Sequence, residues 1–169
     1  MSLSDYTNRK YDYLGLQNTT GPGDRRLGLE LFNKDTSGQI TTGAQKLAQR
    51  WLLEFMTERG SMPGLPNRGS SFMRAARTGG FRTPINVRTE FAVADLNIKN
   101  NLRGEETSDM PDDERFGSAE ITNVAILPGF DVSQKSGTTA AFLTLGVKIT
   151  SLAGDAREVV LPIEIVPRD

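Results

Sequence analysis

The chain has no histidine and no cysteine among its 169 residues. The first absence removes the commonest general base, and the second removes the thiol nucleophile. Together they exclude the usual zinc, haem and iron–sulfur ligand sets, so no cofactor is expected. Disulfides are impossible, and stability has to come from packing. Aromatic residues are scarce at 7 % and hydrophobic residues make up 37 %, a lean composition that predicts some length in arm or loop. A net charge of −1 gives the molecule no field for polyanions. No run approaches the roughly 18 apolar residues of a membrane-spanning helix. The opening MSLSDYTNRKYDYLG lacks an apolar core of the secretory type, so a soluble protein made in a cytoplasm is expected.

What is present divides by period. Residues 1–26 are polar, carry Tyr6, Tyr11 and Tyr13, and end in the breaker cluster Gly21-Pro22-Gly23. They read as an extended arm, in which the tyrosines suit contact with a neighbouring subunit, or as a plain unstructured terminus. Residues 27–169 read as one α+β domain. Leu27, Leu29 and Leu31 alternate as a short strand. A helix is expected from Gly43 to Glu58, capped by Thr41 or Thr42 and closed by Gly60. Leu47, Trp51 and Phe55 form its apolar row, and Ala44, Ala48, Leu52 and Met56 the adjacent one. A second helix is expected over Ser71–Arg77. A third opens on Thr83-Pro84 and runs to about Leu102, with one apolar stripe at Ile85, Thr89, Ala92 and Leu96 and another at Val87, Phe91, Ile98 and Leu102. Apolar residues on two sides suit a helix that packs inside the domain and against something else.

Residues 104–117 are polar and acidic, interrupted by Pro111, and read as a loop. The period then becomes two: Ile121–Leu127, Ala141–Ile149 and Val159–Ile165 predict strands, the last two joined as an antiparallel hairpin through Gly154-Asp155. Pro162 lacks an N–H and argues for an edge position or a bulge. The fold class is therefore α+β, N-terminal helices followed by a small antiparallel sheet of three or four strands.

Two clusters are candidates for chemistry. Arg59, Arg68, Arg74, Arg77, Arg82 and Arg88 lie in a stretch free of Asp, Glu and Lys. Arginine favours planar carboxylate or phosphate contacts. No aromatic platform or known motif accompanies the cluster and the chain is slightly acidic, so pairing with carboxylates is expected over nucleic acid. The acidic loop Asp109, Asp112, Asp113 and Glu114 is the natural partner, or a solvated face. It can also be read as a glycosidase pair, which needs two carboxyls about 5–9 Å apart. No calcium-loop pattern, phosphate loop or nucleophile elbow appears.

The run Met56 to Ser71 contains Thr57, Arg59-Gly60, Pro63, Pro66 and Gly69-Ser70. This resembles the signature of the small phage baseplate wedge family often labelled "lysozyme-like", which has a counterpart in the type six secretion baseplate. Gly43, Lys46-Leu47-Ala48 and Gln49-Arg50 look like that family's first helix. Glu114-Arg115-Phe116 sits where the family carries Glu-Pro-Arg and an aliphatic residue; here the proline is missing and Phe replaces the aliphatic. The likeness covers about residues 40–166.

The resemblance implies a non-enzymatic structural subunit of a contractile-tail baseplate in the virion, assembled in the host cytoplasm. It would join other wedge proteins to sheath or tube-proximal proteins with six-fold placement, and start sheath assembly by strand exchange. On that reading Glu114, Arg115, Arg59, Arg68, Arg74, Arg77 and the arm tyrosines Tyr6, Tyr11 and Tyr13 are interaction residues, with no membrane contact. The alternatives are a peptidoglycan-degrading enzyme using Glu114, and a nucleic-acid or other adaptor using Arg59–Arg88.

Overall fold

Helical period followed by strand period becomes, in three dimensions, a helical layer on an antiparallel sheet. The computed structural model describes residues 12–13, 16–18, 27–29, 40–128 and 141–165. In chain order the elements are β1 (Asp12–Tyr13), β2 (Leu16–Asn18), β3 (Leu27–Leu29), β4 (Ile40–Thr41), α1 (Gly43–Met56), α2 (Phe72–Arg77), α3 (Pro84–Glu105), β5 (Phe116–Pro128), β6 (Ala141–Ser151) and β7 (Ala156–Ile165). A 3-10 turn, Asp112–Glu114, leads into β5. Two strands of the segment read as an arm pair with strands beyond it, β1 with β4 and β2 with β3, both antiparallel.

The main sheet has the order β5-β6-β7 and is antiparallel throughout. Leu143, Leu145, Val147 and Ile149 of β6 face the helices, opposite Ile163, Leu161, Val159 and Arg157 of β7. The Gly154-Asp155 turn forms as expected: Ser151 N–H donates to the Asp155 carbonyl, and Gly154 takes φ +88°. Pro162 lies in β7, an edge strand of this sheet, where a missing N–H is tolerated.

β5 starts five residues before the expected Ile121 and keeps its inward face by means of two irregularities. The register shifts between Phe116 and Ser118 and again between Ile121 and Asn123. Inward positions therefore switch parity twice, from Phe116 to Ala119 and Ile121, then to Val124 and Ile126. Each bulge adds one residue, and without it the apolar set would turn to solvent. Gly117 and Gly146 make room: a Cβ on Gly146 would meet Thr122 Oγ1 at 2.6 Å, and one on Gly117 would meet the Ser151 carbonyl at 2.8 Å.

The helices deliver an aromatic chain to the core. Trp51 stacks on Phe55 at 4.8 Å, Phe55 contacts Phe72 at 4.6 Å, and Phe72 contacts Phe81 at 4.7 Å. α3 buries Val87, Phe91, Ala94, Ile98 and Leu102. Its start follows expectation, with Thr83 Oγ1 accepting from Asn86 N–H and Pro84 at the first helical position. It continues one turn past Leu102, because Glu105 is held by Arg50 and Arg68.

α1 differs from expectation at both ends. It stops at Met56 because Thr57 is extended and Glu58 enters a bridge with Ser70. Gly60, φ +85°, consequently serves the turn from Glu58 to Ser61 rather than the helix stop. Met56, expected in the buried row, is the last helical residue and is 37 % exposed. At the other end Thr42 occupies the cap position without a side-chain bond, and the cap comes from Glu114.

Candidate interaction site

The segment from Thr57 to Ser71 joins α1 to α2 with few apolar contacts, so it depends on hydrogen bonds. Ser70 N–H donates to the Thr57 carbonyl at 2.8 Å, and Arg59 N–H to the Ser70 carbonyl at 3.0 Å. The fully buried Ser70 hydroxyl donates to the Phe55 carbonyl at 2.7 Å and accepts from Phe72 N–H at 3.3 Å. One hydroxyl thus links the end of α1 to the start of α2. Gly69 is required for this closure: its φ is +90°, and a Cβ there would sit 2.5 Å from the Thr57 carbonyl oxygen.

Glu54 anchors the same loop from below. Its carboxylate accepts from Gly69 N–H at 2.9 Å and Asn101 Nδ2 at 3.2 Å, and pairs with Arg68. Arg68 also pairs with Glu105, which Arg50 reaches at 2.7 Å. Asn101 bonds the Asn67 carbonyl as well, so α3 grips both sides of the loop. The network Arg50–Glu105–Arg68–Glu54 therefore ties α1, the loop and α3 into one unit.

Glu58 collects the next two arginines. Arg74 Nε lies 2.9 Å from its carboxylate and Arg77 pairs with the other oxygen. The Arg74 hydrogen bond and the charges of Arg77 and Arg74 hold the Glu58 carboxyl below its ordinary range, against partial desolvation. Both arginines remain more than half exposed, so this is a paired but solvated patch. Arg59 reaches Asn67 Oδ1 at 3.4 Å. Arg82 and Arg88 are exposed, with no ion-pair partner among the described residues.

The expectation of carboxylate pairing holds, but with different partners. Arg68, Arg74 and Arg77 pair with Glu54, Glu105 and Glu58, whereas Asp112 pairs with Arg115 and Glu114 with Lys46. Glu54 lies on the loop side of α1, and Glu58 follows just after the helix ends, in the bridge with Ser70. The sequence signal that could have found them is a charged residue inside an apolar helical run, as Glu54 is in Leu52-Leu53-Glu54-Phe55.

Glu114 is buried to 1 % exposure. One carboxylate oxygen accepts Gly43 N–H at 3.2 Å, and the other lies 2.8 Å from Lys46 Nζ. A carboxylate at the first turn of α1 meets the free N–H groups and the positive end of the helix dipole. The 3-10 turn aims it there, and that turn is itself fixed by the β6–β7 turn: Leu152 N–H donates to the Arg115 carbonyl at 3.0 Å, and Ala153 N–H to the Asp112 carbonyl at 3.2 Å. Arg115 stays partly exposed and bonds Asp112 at 3.1 Å. At this junction Arg115 is thus the solvent-accessible side chain of the pair and Glu114 the buried one.

Asp95 of α3 accepts a hydrogen bond from Trp51 Nε1 at 3.4 Å. Burial raises its carboxyl above the ordinary value, partly offset by the Trp51 bond and the Lys99 charge. Among the described residues no group of three acidic side chains is arranged to hold a metal ion, and no helix is long and apolar enough to cross a membrane. Tyr6 and Tyr11 lie outside the described residues; of Tyr13 the backbone alone is described, paired with Ile40. Comparison with models of known families, with curated proteins and with solved structures finds no match.

Proposed function

We propose that this chain is a non-enzymatic structural subunit of a contractile-tail baseplate, joining wedge proteins to the inner tube and sheath layer and helping to start sheath assembly. The observation that carries the reading concerns the stretches on which the resemblance rests. Those stretches are the ones the fold ties together. Gly43 and Lys46 meet Glu114 in a buried ion pair, and Thr57 meets Gly69-Ser70 in a hydrogen-bonded closure. Signature residues spent on internal ties suit a rigid scaffold that presents faces to neighbours. The sheet ends at β5 and β7, and no other described strand pairs with either, which suits strand addition by a neighbour. The surroundings of Glu114 weigh against the enzyme alternative, because a general acid needs access to substrate and both its oxygens are occupied.

The test is assembly. In tail particles from the source of this chain, the protein is expected to co-sediment with the baseplate and to appear in six-fold positions by electron microscopy. A purified chain that stays monomeric and binds no tail component would overturn the proposal. On a peptidoglycan zymogram no clearing is expected; clearing abolished by Glu114→Gln in a folded variant would favour the muralytic reading.

A further inference from the structure

α3 has two apolar faces, and the domain uses one. At about 100° per residue, Val87, Phe91, Ala94, Ile98 and Leu102 share the side that packs on the core. Ile85, Ala92, Val93 and Leu96 lie on the opposite side. Ile85 is 74 % exposed, Leu96 59 % and Val93 49 %. With Thr89 between them, they form a stripe of three helical turns, about 16 Å long. Scattered surface apolar residues are ordinary, whereas a continuous stripe at helical spacing marks a contact surface.

The charges around the stripe decide what it fits. Arg82 precedes it, Arg88 flanks it, and Arg103 lies on its continuation toward the helix end; all three are exposed and have no ion-pair partner among the described residues. The carboxylates of α3 are directed elsewhere. Asp95 turns to Trp51, Glu105 to Arg50 and Arg68, and Glu90 is half-buried on the opposite flank beside Asn86 and Asn97. The rim is thus positive without a negative counterpart. A second copy of the chain is disfavoured by the same charges. An antiparallel two-fold packing that matches Ile85 with Leu96 sets Arg82 against Lys99, like against like.

We propose that the outer face of α3 docks an amphipathic helix of a partner protein, with an apolar stripe flanked by Asp or Glu. The apolar stripes interdigitate, and the acidic flanks neutralise Arg82, Arg88 and Arg103. This goes beyond the baseplate reading and does not depend on it, because it uses one helix face and its rim.

Two synthetic helical peptides of about 21 residues, three heptads, supply the probes. They share one Leu stripe and differ in flanks of Glu or of Lys. Binding to the full chain is followed by fluorescence anisotropy and mapped by backbone amide shifts. The Glu-flanked peptide is expected to bind, with shifts centred on Ile85–Leu96. Leu96→Glu should weaken it by at least about tenfold, and Arg88→Glu should shift preference toward the Lys-flanked peptide. Circular dichroism of the variants establishes that α3 is intact. Equal binding of the two peptides, binding insensitive to Leu96→Glu, or shifts centred away from α3 would overturn the proposal. So would a dimer in sedimentation that Leu96→Glu dissolves, which would make the occupant a second copy.

Discussion

Glu114 is the residue on which the junction of helices and sheet depends. Its carboxylate neutralises Lys46, satisfies Gly43 N–H and is almost fully removed from water. Breaking such a pair from one side leaves a buried charge alone. Glu114→Ala is expected to cost about 3–5 kcal/mol, and the double change Glu114→Leu with Lys46→Met to recover most of it. Urea denaturation of the two variants measures this; a single-variant loss under about 1 kcal/mol would contradict the account. Gly69 is the second sensitive position. Gly69→Ala forces a Cβ onto the Thr57 carbonyl in a left-handed backbone and should cost more than Gly64→Ala. Gly64 has φ +79° but open space around it, so its loss should stay near about 1 kcal/mol.

Asp95 makes the pH prediction at this scale. Its folded carboxyl is raised above the ordinary 3.8, chiefly by burial. The folded state therefore binds the proton more tightly than the unfolded chain. Its favourable contribution is full below the ordinary value and is lost as pH rises through the raised one. Asp95→Asn, which keeps an acceptor for Trp51 Nε1, should raise stability at neutral pH. The gain should shrink as pH falls toward 3.8. Thermal unfolding of both proteins across that range checks it, and a gain that persists in acid would count against burial as the cause.

Among the elements, α1 and β5 show how local pattern and distant contact divide the work. The apolar periodicity of α1 is plain in Leu47, Trp51 and Phe55, but its N-terminal cap comes from Glu114, 71 residues away. α3 carries its own cap, so Thr83→Ala should cost about 1 kcal/mol by loss of the bond to Asn86 N–H. For β5 the alternation fails twice in sequence because two bulges restore it in space. A single-residue deletion at Ala125, in the regular stretch of β5, is expected to turn Val124 outward or to force a register slip, seen as lost cooperativity in unfolding, whereas deletion of Thr122 should remove the bulge and leave Ile121 inward.

For the whole molecule, the arginine segment leaves nucleic acid as the lesser reading in one dimension, and in three dimensions several of its arginines meet carboxylates of the same chain. Arg68, Arg74 and Arg77 are neutralised by Glu54, Glu105 and Glu58, and the net charge is −1. The chain is therefore expected to give no gel shift with duplex DNA even at low salt. A shift with a steep salt dependence, lost in Arg74→Ala with Arg77→Ala, would restore the nucleic-acid reading.

The sequence by itself determined what depends on neighbours along the chain: three helices, their order before an antiparallel sheet, and the Thr83-Pro84 start; for Pro162 it left an edge or a bulge, and the sheet order made it an edge. It also showed the second apolar stripe of α3, since exposure follows from helical spacing once the other stripe is buried. Tertiary structure alone decided which carboxylate meets which cation. Arg68 had acidic candidates in α1, the acidic loop and α3, and the choice of Glu54 and Glu105 depends on where helix packing puts them. It also turned Glu114 inward, because a charge buried with Lys46 is stable only where the β6–β7 turn and the start of α1 converge. Local pattern is set by short-range sterics and hydrophobic period, whereas ion-pair identity is a matter of a few ångströms between segments far apart in sequence.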